Sequence, residues 1–213
     1  RTKAEMHALQ SQINPHFLYN TLENIRATAL MRDAEDIAVL TEALSAMFRY
    51  SISSPGETAA VREELKNVNN YLLIQKYRFP GKIHYYEEIE DPEILDYRLP
   101  VLTIQPIIEN AVNHGIRDIE WEGKIHLTVT GDADYIRISV KDNGKGMTQE
   151  QIEGVLSGNR EHRNEEGDST GIGMNNVISR LELYYEESGL MEINSEGEGK
   201  GTETVIYIPV REN

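Results

Sequence analysis

Cysteine is absent from the 213 residues. That excludes disulfide frameworks, thiolate catalysis and cysteine-ligated zinc, and it fits a reducing compartment. No apolar run approaches the ~20 residues that span a bilayer, and no signal peptide is visible. No histidine pair has metal-ligand spacing, and His7, His84, His126 and His162 have no partner pattern. The string G-x-x-x-x-G-K-[ST] does not occur, so a P-loop is excluded. Basic charge is scarce in the second part of the chain. Residues 1–80 hold nine Lys/Arg and nine Asp/Glu, whereas residues 81–213 hold twelve against twenty-seven, so the net charge of −15 lies entirely in the latter. Such a surface repels a phosphate backbone, and no nucleic acid partner is expected. The contrast in charge also makes the two parts read as different modules. No internal repeat is present.

What remains suits a globular protein, with 39% hydrophobic and 27% charged residues. Leu9, Ile13, Phe17, Leu18, Leu22, Ile25 and Ala29 recur at spacings of three and four, which predicts helix over 3–31. Pro15 either kinks that helix or opens it with Asn14 as N-cap. A second helix is expected over 35–52, with Ile37, Leu40, Leu44 and Met47 on one seam and Asp33 as cap. One such hairpin cannot bury both apolar faces, whereas two together form a four-helix bundle. The breaker cluster Ser53-Ser54-Pro55-Gly56-Glu57 follows, then a helix from Glu63 to Arg78, ended by Pro80-Gly81. Tyr77 and Arg78 fall at this joint, where plain packing explains them. Beyond it the texture changes. Strands are expected at 83–90, 124–130, 135–140, 190–194 and 203–208, and helices at 101–114, 149–156 and 174–187. Gly131-Asp132-Ala133-Asp134 joins two of the strands as a hairpin. This order implies an α+β fold, a mixed sheet covered on one face by helices.

Two glycine clusters carry the chemistry. Asp142-Asn143-Gly144-Lys145-Gly146-Met147 follows the strand ending near Val140, and Gly171-Ile172-Gly173-Met174-Asn175-Asn176 lies about 25 residues on. An acid at a strand end can accept from an adenine amino group, and glycines let the backbone approach base and phosphates. A third segment, Glu109-Asn110-Ala111-Val112-Asn113-His114-Gly115, lies on a helix and offers amide oxygens suited to Mg²⁺. Asn110 and Asn113, three apart, share an α-helical face. In this order the segments resemble the N, G1 and G2 boxes of the gyrase, histidine kinase and mismatch-repair ATPase superfamily, over residues ~81–210.

That resemblance implies ATP and Mg²⁺ as cofactors and a Bergerat-type α/β sandwich. It implies that Asn110 binds the metal and Asp142 reads adenine. Gly144, Gly146 and Met147 belong to the adenine turn, Gly171 and Gly173 border the triphosphate, and Thr202 backs the base. Residues ~157–170, with Arg160 and Arg163, would be the lid; Asn113 is expected at the nucleotide, and His114, which closes the helix, either approaches phosphate or Mg²⁺ or serves the helix dipole. Two departures stand out. Pro106 replaces the water-activating Glu of the ATP hydrolases, which disfavours simple hydrolysis. Asn113 stands where many histidine kinases have Lys.

His16 lies in Gln12-Ile13-Asn14-Pro15-His16-Phe17-Leu18-Tyr19-Asn20. Neutral imidazole is a good nucleophile near pH 7. The segment resembles the H-box of LytS-type sensor histidine kinases, with its Pro-His-Phe-Leu-Tyr-Asn core, which implies that His16 is the phosphoacceptor. Phe17 occupies the position of the acid that orthodox histidine kinases place after the His. Glu109 is the first candidate for the group that orients the imidazole, and Glu23 the second. Asn20, four residues on, stacks over His16 and matches a position that affects phosphotransfer or dephosphorylation.

The resemblance therefore implies a sensor histidine kinase core. Residues 1–53 are expected to form a dimerising hairpin that offers His16, residues 54–80 a hinge and connecting helix, and residues 81–213 the ATP-binding domain. A homodimer, a response regulator partner and a cytoplasmic location are expected, in a parent anchored to a membrane through a missing N-terminal sensor region. The chain opens at Arg1 inside a helical pattern and reads as a piece of that longer protein. A serine kinase on the same ATP fold and a non-catalytic nucleotide-binding dimer are the alternatives.

Overall fold

A computed structural model describes residues 14–52, 58–157 and 170–210. The helix expected over 3–13 and most of the expected lid, with Arg160 and Arg163, lie outside the described residues. The chain divides into two compact units, Arg1–Ser53 and Ser54–Asn213.

The first unit is a helical hairpin. Helix α1 spans Pro15–Met31 and helix α2 Glu35–Ser51. Of the two readings of Pro15, the described residues show the cap: Asn14 is the N-cap and Pro15 the first helical residue, so the N–H that proline lacks is one the helix would leave unpaired anyway. Asp33 does not cap α2. It sits in the turn with φ of 55°, and Ala34 is the N-cap, without a side-chain bond. Between the helices the hairpin buries small residues, Ala29, Ala38, Thr41, Ala43 and Ser45. The seam expected from periodicity behaves otherwise. Ile37 and Leu44 stay exposed, as do Phe17, Ile25 and Met31, because small side chains let the two helices approach and leave the large ones outside.

The second unit is an α+β layer. Its main sheet has the order β2-β4-β5-β7-β6, built from β2 (Ile83–Ile89), β4 (Gly123–Gly131), β5 (Tyr135–Asp142), β6 (Met191–Asn194) and β7 (Thr202–Pro209). The pair β2 and β4 is parallel and the others antiparallel. In β4, Ile125, Leu127 and Val129 are buried while Lys124 and His126 are exposed, the alternation of a sheet covered on one face. Asp132 Oδ1 accepts from the amides of Asp134 and Tyr135 at 2.8 Å each, which fixes the predicted β4–β5 turn. The covering helices are α3 (Val61–Arg78), α4 (Gln105–Asn110), α5 (Gln149–Ser157) and α6 (Thr170–Tyr185). Among the described residues no helix is long and apolar enough to cross a membrane.

Four features depart from the periodicity. Two three-residue strands, β1 (Thr58–Ala60) and β3 (Arg98–Pro100), pair antiparallel beside the main sheet. They are too short for an alternation to register. The helix expected from Val101 starts at Gln105 instead. Leu102 takes φ of 57°, and the amides of Leu102, Thr103 and Ile104 donate to the Glu64 carboxylate at 2.7, 2.9 and 2.8 Å. Glu64, 1% exposed, is a cap delivered from α3 rather than from the helix's own flank. Finally, α4 passes into a π-helical turn at Ala111–Ile116. Helix α6 begins four residues before the expected Met174, so both of its glycines lie in its first turn.

Candidate nucleotide site and phosphoacceptor helix

Strand β5 ends on Asp142, a residue 6% exposed, whose carboxylate accepts from the backbone amides of Gly144, at 2.8 Å, and Thr202. Burial pushes its pKa up to about 6 against the opposing pull of these two hydrogen bonds. Glycines make this arrangement possible. A Cβ on Gly115 would stand 2.9 Å from Asp142 Oδ1, one on Gly144 2.2 Å from the Gly115 carbonyl oxygen, and one on Gly201 2.1 Å from the Asp142 carbonyl oxygen. Gly146 adopts φ of +74°, in the left-handed region, and a Cβ there would meet the Gly197 carbonyl oxygen at 2.0 Å.

Backbone bonds then close three segments on one another. The amide of Lys145 donates to Gly115 at 2.9 Å, that of Gly201 to Gly144 at 3.1 Å, and that of Gly199 to Lys145 at 2.7 Å. Met147 N–H donates to Ser195 Oγ at 3.0 Å, and Ser195 O–H donates to the Gly201 carbonyl at 2.6 Å. Thr202 is buried and opens β7 directly opposite Asp142. The roles of Gly115, Ser195 and Gly201 escape periodicity. A glycine inside a helical pattern is the signal for Gly115; Ser195 offers none. Asn143, inside the same motif, serves the sheet edge: Oδ1 accepts from Lys124 N–H at 2.7 Å and Nδ2 donates to the Glu122 carbonyl at 2.9 Å.

Asn110 ends α4, and its Oδ1 is buried with no hydrogen-bond partner among the described residues. An orphaned amide oxygen is a hard donor that a divalent cation would satisfy. Asn113 and His114, both half-buried, lie in the π-helical turn. The three-residue spacing from Asn110 to Asn113 therefore crosses into a wider turn than the α-helix assumed for it. Glu109 is half-buried and accepts at Oε1 from Gln105 Nε2 at 2.8 Å. Gly171 and Gly173 lie in the first turn of α6, and among the described residues a Cβ on Gly173 would meet nothing within 4 Å. Further along, Arg180 Nη2 donates to the Leu102 carbonyl, tying α6 to the start of α4.

In the first unit, Asn14 Oδ1 accepts from the amides of His16 at 3.1 Å and Phe17 at 3.4 Å. His16 is thus fixed in the first turn of α1 with its ring exposed. Asn20 Nδ2 lies 3.2 Å from Nδ1 of His16, the stacking expected of residues four apart. The amide can donate to Nδ1 in the tautomer whose ring proton sits on Nε2. Tyr19 packs edge-on against Phe48 and under the Arg49 guanidinium. Glu23 pairs with Arg26 at 3.2 Å.

Comparison with known proteins gives a consistent answer. Residues 4–83 match the family described as histidine kinase, and residues 96–212 the family of histidine kinase-, DNA gyrase B- and HSP90-like ATPases. The sensor histidine kinase YesM of Bacillus subtilis is 35% identical over 209 residues, covering 98% of this chain and 34% of that protein. The sensor protein LytS of Streptococcus agalactiae is 31% identical over 98% of this chain and 34% of its own length. The chain spans about a third of these relatives. It covers 71% of a shorter Bacillus subtilis protein, YwpD, at 34% identity. Among solved structures, the mycobacterial sensor histidine kinase MprB aligns with a TM-score of 0.52 at 14% identity, covering 74% of this chain and 99% of that one. The catalytic domain of the histidine kinase ThkA aligns at 0.51 and 20% identity over 72% of this chain and 94% of that one. These two likenesses establish the fold. The ATPase match implies ATP binding.

Proposed function

The chain belongs to the histidine kinase family, with the ATPase domain shared by DNA gyrase B and HSP90, and on that premise we propose that it transfers the γ-phosphoryl group of ATP to His16. From there the group passes to an aspartate of a response regulator. The observation that carries this reading is the cradle around Asp142. A buried carboxylate held by two backbone amides selects a ligand that brings its own donor, and the exocyclic amine of adenine is one. Thr202 backs the base. Gly144, Gly146 and Met147 form the turn against it, and Gly171 and Gly173 set the N-terminal turn of α6 toward the phosphates. Asn113 and His114 complete the phosphate side.

Mg²⁺ suits the orphaned Oδ1 of Asn110, and when bound it neutralises phosphate charge. His16 attacks through Nε2, forming a phosphorus–nitrogen bond as the bond from the γ-phosphorus to the bridging oxygen breaks and ADP departs. That attack needs the ring proton on Nδ1. A carboxylate accepting from Nδ1 holds the proton there, which the donating Asn20 amide does not, and then removes it; Glu109 is the candidate, since Glu23 is already paired with Arg26. Asn20 holds the ring between turnovers.

The large apolar side chains that the hairpin leaves outside, among them Ile25, Met31, Ile37 and Leu44, suit a second copy of the hairpin and hence a homodimer. The whole protein is a membrane-anchored sensor, of which this chain is the cytoplasmic catalytic part. Incubation with γ-labelled ATP tests the reading. Acid-labile, base-stable label that disappears in His16→Ala is expected. Acid-stable label on an added partner would instead favour a serine kinase, and tight ATP binding without label a nucleotide-binding scaffold.

A further inference from the structure

Helix α3 carries Asn67, Tyr71 and Gln75 four residues apart, and so along one face. Asn67 and Tyr71 are buried. Asn67 Oδ1, the Tyr71 hydroxyl and Gln75 Oε1 are enclosed without a hydrogen-bond partner among the described residues. An enclosed polar atom left unpaired costs its desolvation, a cost an apolar side chain would not carry. A row of them on a core-facing helix asks for a reason beyond packing.

The reason lies in what the row touches. Asn67 Nδ2 donates to Gln105 Oε1, and Gln105 Nε2 donates in turn to Glu109 Oε1 at 2.8 Å. The two ends of this chain agree on its polarity, since the Glu109 carboxylate only accepts and Asn67 offers an N–H. Asn67 presents its N–H to Gln105, so the Gln105 oxygen is occupied and its amino group is aimed at the carboxylate. Turned the other way, Gln105 would face Glu109 with an oxygen and repel it. Tyr71 feels the same carboxylate: burial first, and the Glu109 charge second, raise its hydroxyl pKa, with Arg78 opposing. One oxygen of Glu109 is thereby spoken for, and the carboxylate cannot turn freely about its last bond.

We infer that Asn67 and Gln105 are positioning residues, which hold the Glu109 carboxylate so that its other oxygen takes the His16 ring proton. The inference rests on the reading of Glu109 given above and deepens it. The chain begins on α3, so the setting of the catalytic carboxylate depends on a helix outside the three nucleotide-binding segments.

The test uses the full chain and three measurements on each variant: the limiting phosphorylation rate with the ATP concentration that gives half of it, the dissociation constant for ADP, and the melting temperature. Glu109→Gln is expected to lower the limiting rate ~100-fold or more with ADP affinity unchanged. Asn67→Asp is nearly isosteric but reverses the chain, because an aspartate accepts where asparagine donated. It and Gln105→Ala are each expected to lower the limiting rate ~10-fold or more and to leave the half-saturating ATP concentration and ADP affinity within about twofold. In the Glu109→Gln background, Gln105→Ala should change nothing further, since its effect runs through that carboxylate.

A Glu109→Gln protein with the parent rate would remove the Glu109 reading and this inference together. A slow Glu109→Gln protein, combined with parent rates in Asn67→Asp and Gln105→Ala, would remove this inference alone. So would equal factors for Gln105→Ala in both backgrounds, because packing acts independently of the carboxylate. If Asn67→Asp fails to show a melting transition, Gln105→Met, which keeps bulk and helix propensity while deleting both hydrogen bonds, decides the same question.

Discussion

Gly144 and Gly173 occupy two turns that the sequence marks alike, yet the molecule needs them for different reasons. At Gly144 an added Cβ would lie 2.2 Å from the Gly115 carbonyl oxygen, a backbone atom with nowhere to rotate. At Gly173 it would meet nothing within 4 Å among the described residues. The first glycine is a condition of the fold, because it lets the Asp142 turn seat against the π-helical turn. The second answers to no packing demand among the described residues, which suits the phosphate role proposed for it. A glycine motif is therefore two statements at once, one about chain closure and one about ligand, and only the surrounding backbone tells them apart.

The largest effect that would sharpen this contrast comes from Gly144→Ala. Overpacking of backbone against backbone is expected to remove ~2–3 kcal/mol and to lower the melting temperature of the second unit by roughly 5–10 °C, abolishing ADP binding with it. A normal melting curve would break the comparison.

Asp142→Asn comes next and should separate binding from folding. ADP affinity, by calorimetry, is expected to fall ~10- to 100-fold on loss of a charge-assisted bond, while stability at pH 7 holds or rises because a desolvated charge is gone. The parent protein adds a pH test at the same residue. Its Asp142 pKa is raised to about 6 from the ordinary carboxylate value of 3.8, so the folded state holds a proton that the unfolded state has released. The stability this provides is complete below about 4 and is lost as pH rises through about 6. Adenine donating to the ionised carboxylate should then release protons on binding near pH 6, seen as a dependence of binding heat on buffer ionisation enthalpy. Asp142→Asn should abolish that dependence.

The smallest effect belongs to Gly173→Ala. In a helix's first turn alanine is as good as glycine or better, by up to ~1 kcal/mol, so the melting temperature should hold or rise slightly. ATP affinity should fall several-fold while that of adenosine stays unchanged. Equal weakening of both would deny Gly173 a phosphate role.

These contrasts also explain what the sequence could and could not disclose. Asp142 was legible because an acid after an alternating run, followed by two glycines, is a local pattern. So was the Asn14-Pro15 cap, whose parts are adjacent. The Gly131–Asp134 turn could be read for the same reason, since Asp132 satisfies amides only two and three residues on. The start of α4 was not legible. Its cap, Glu64, is about 40 residues away, and helical periodicity through Leu102 and Ile104 gives no hint that Leu102 adopts a left-handed backbone. Ser195 was invisible for the same reason, since its partners Met147 and Gly201 meet only once the sheet has formed. In the hairpin, periodicity found the apolar residues but not which of them the two helices keep for themselves. That choice turns on side-chain size at the contact, as Ala38 inside and Ile37 outside illustrate.

The Glu64 clamp bears on how the protein can be dissected. A fragment begun at Gly81, where the change in texture invites a cut, would strip the acceptor from three amides of residues 102–104 and deprive β3 of its neighbour β1. Truncations meant to isolate the nucleotide-binding half should start upstream of Thr58, and a silent shorter fragment would report on its own lost scaffold rather than on the parent's chemistry.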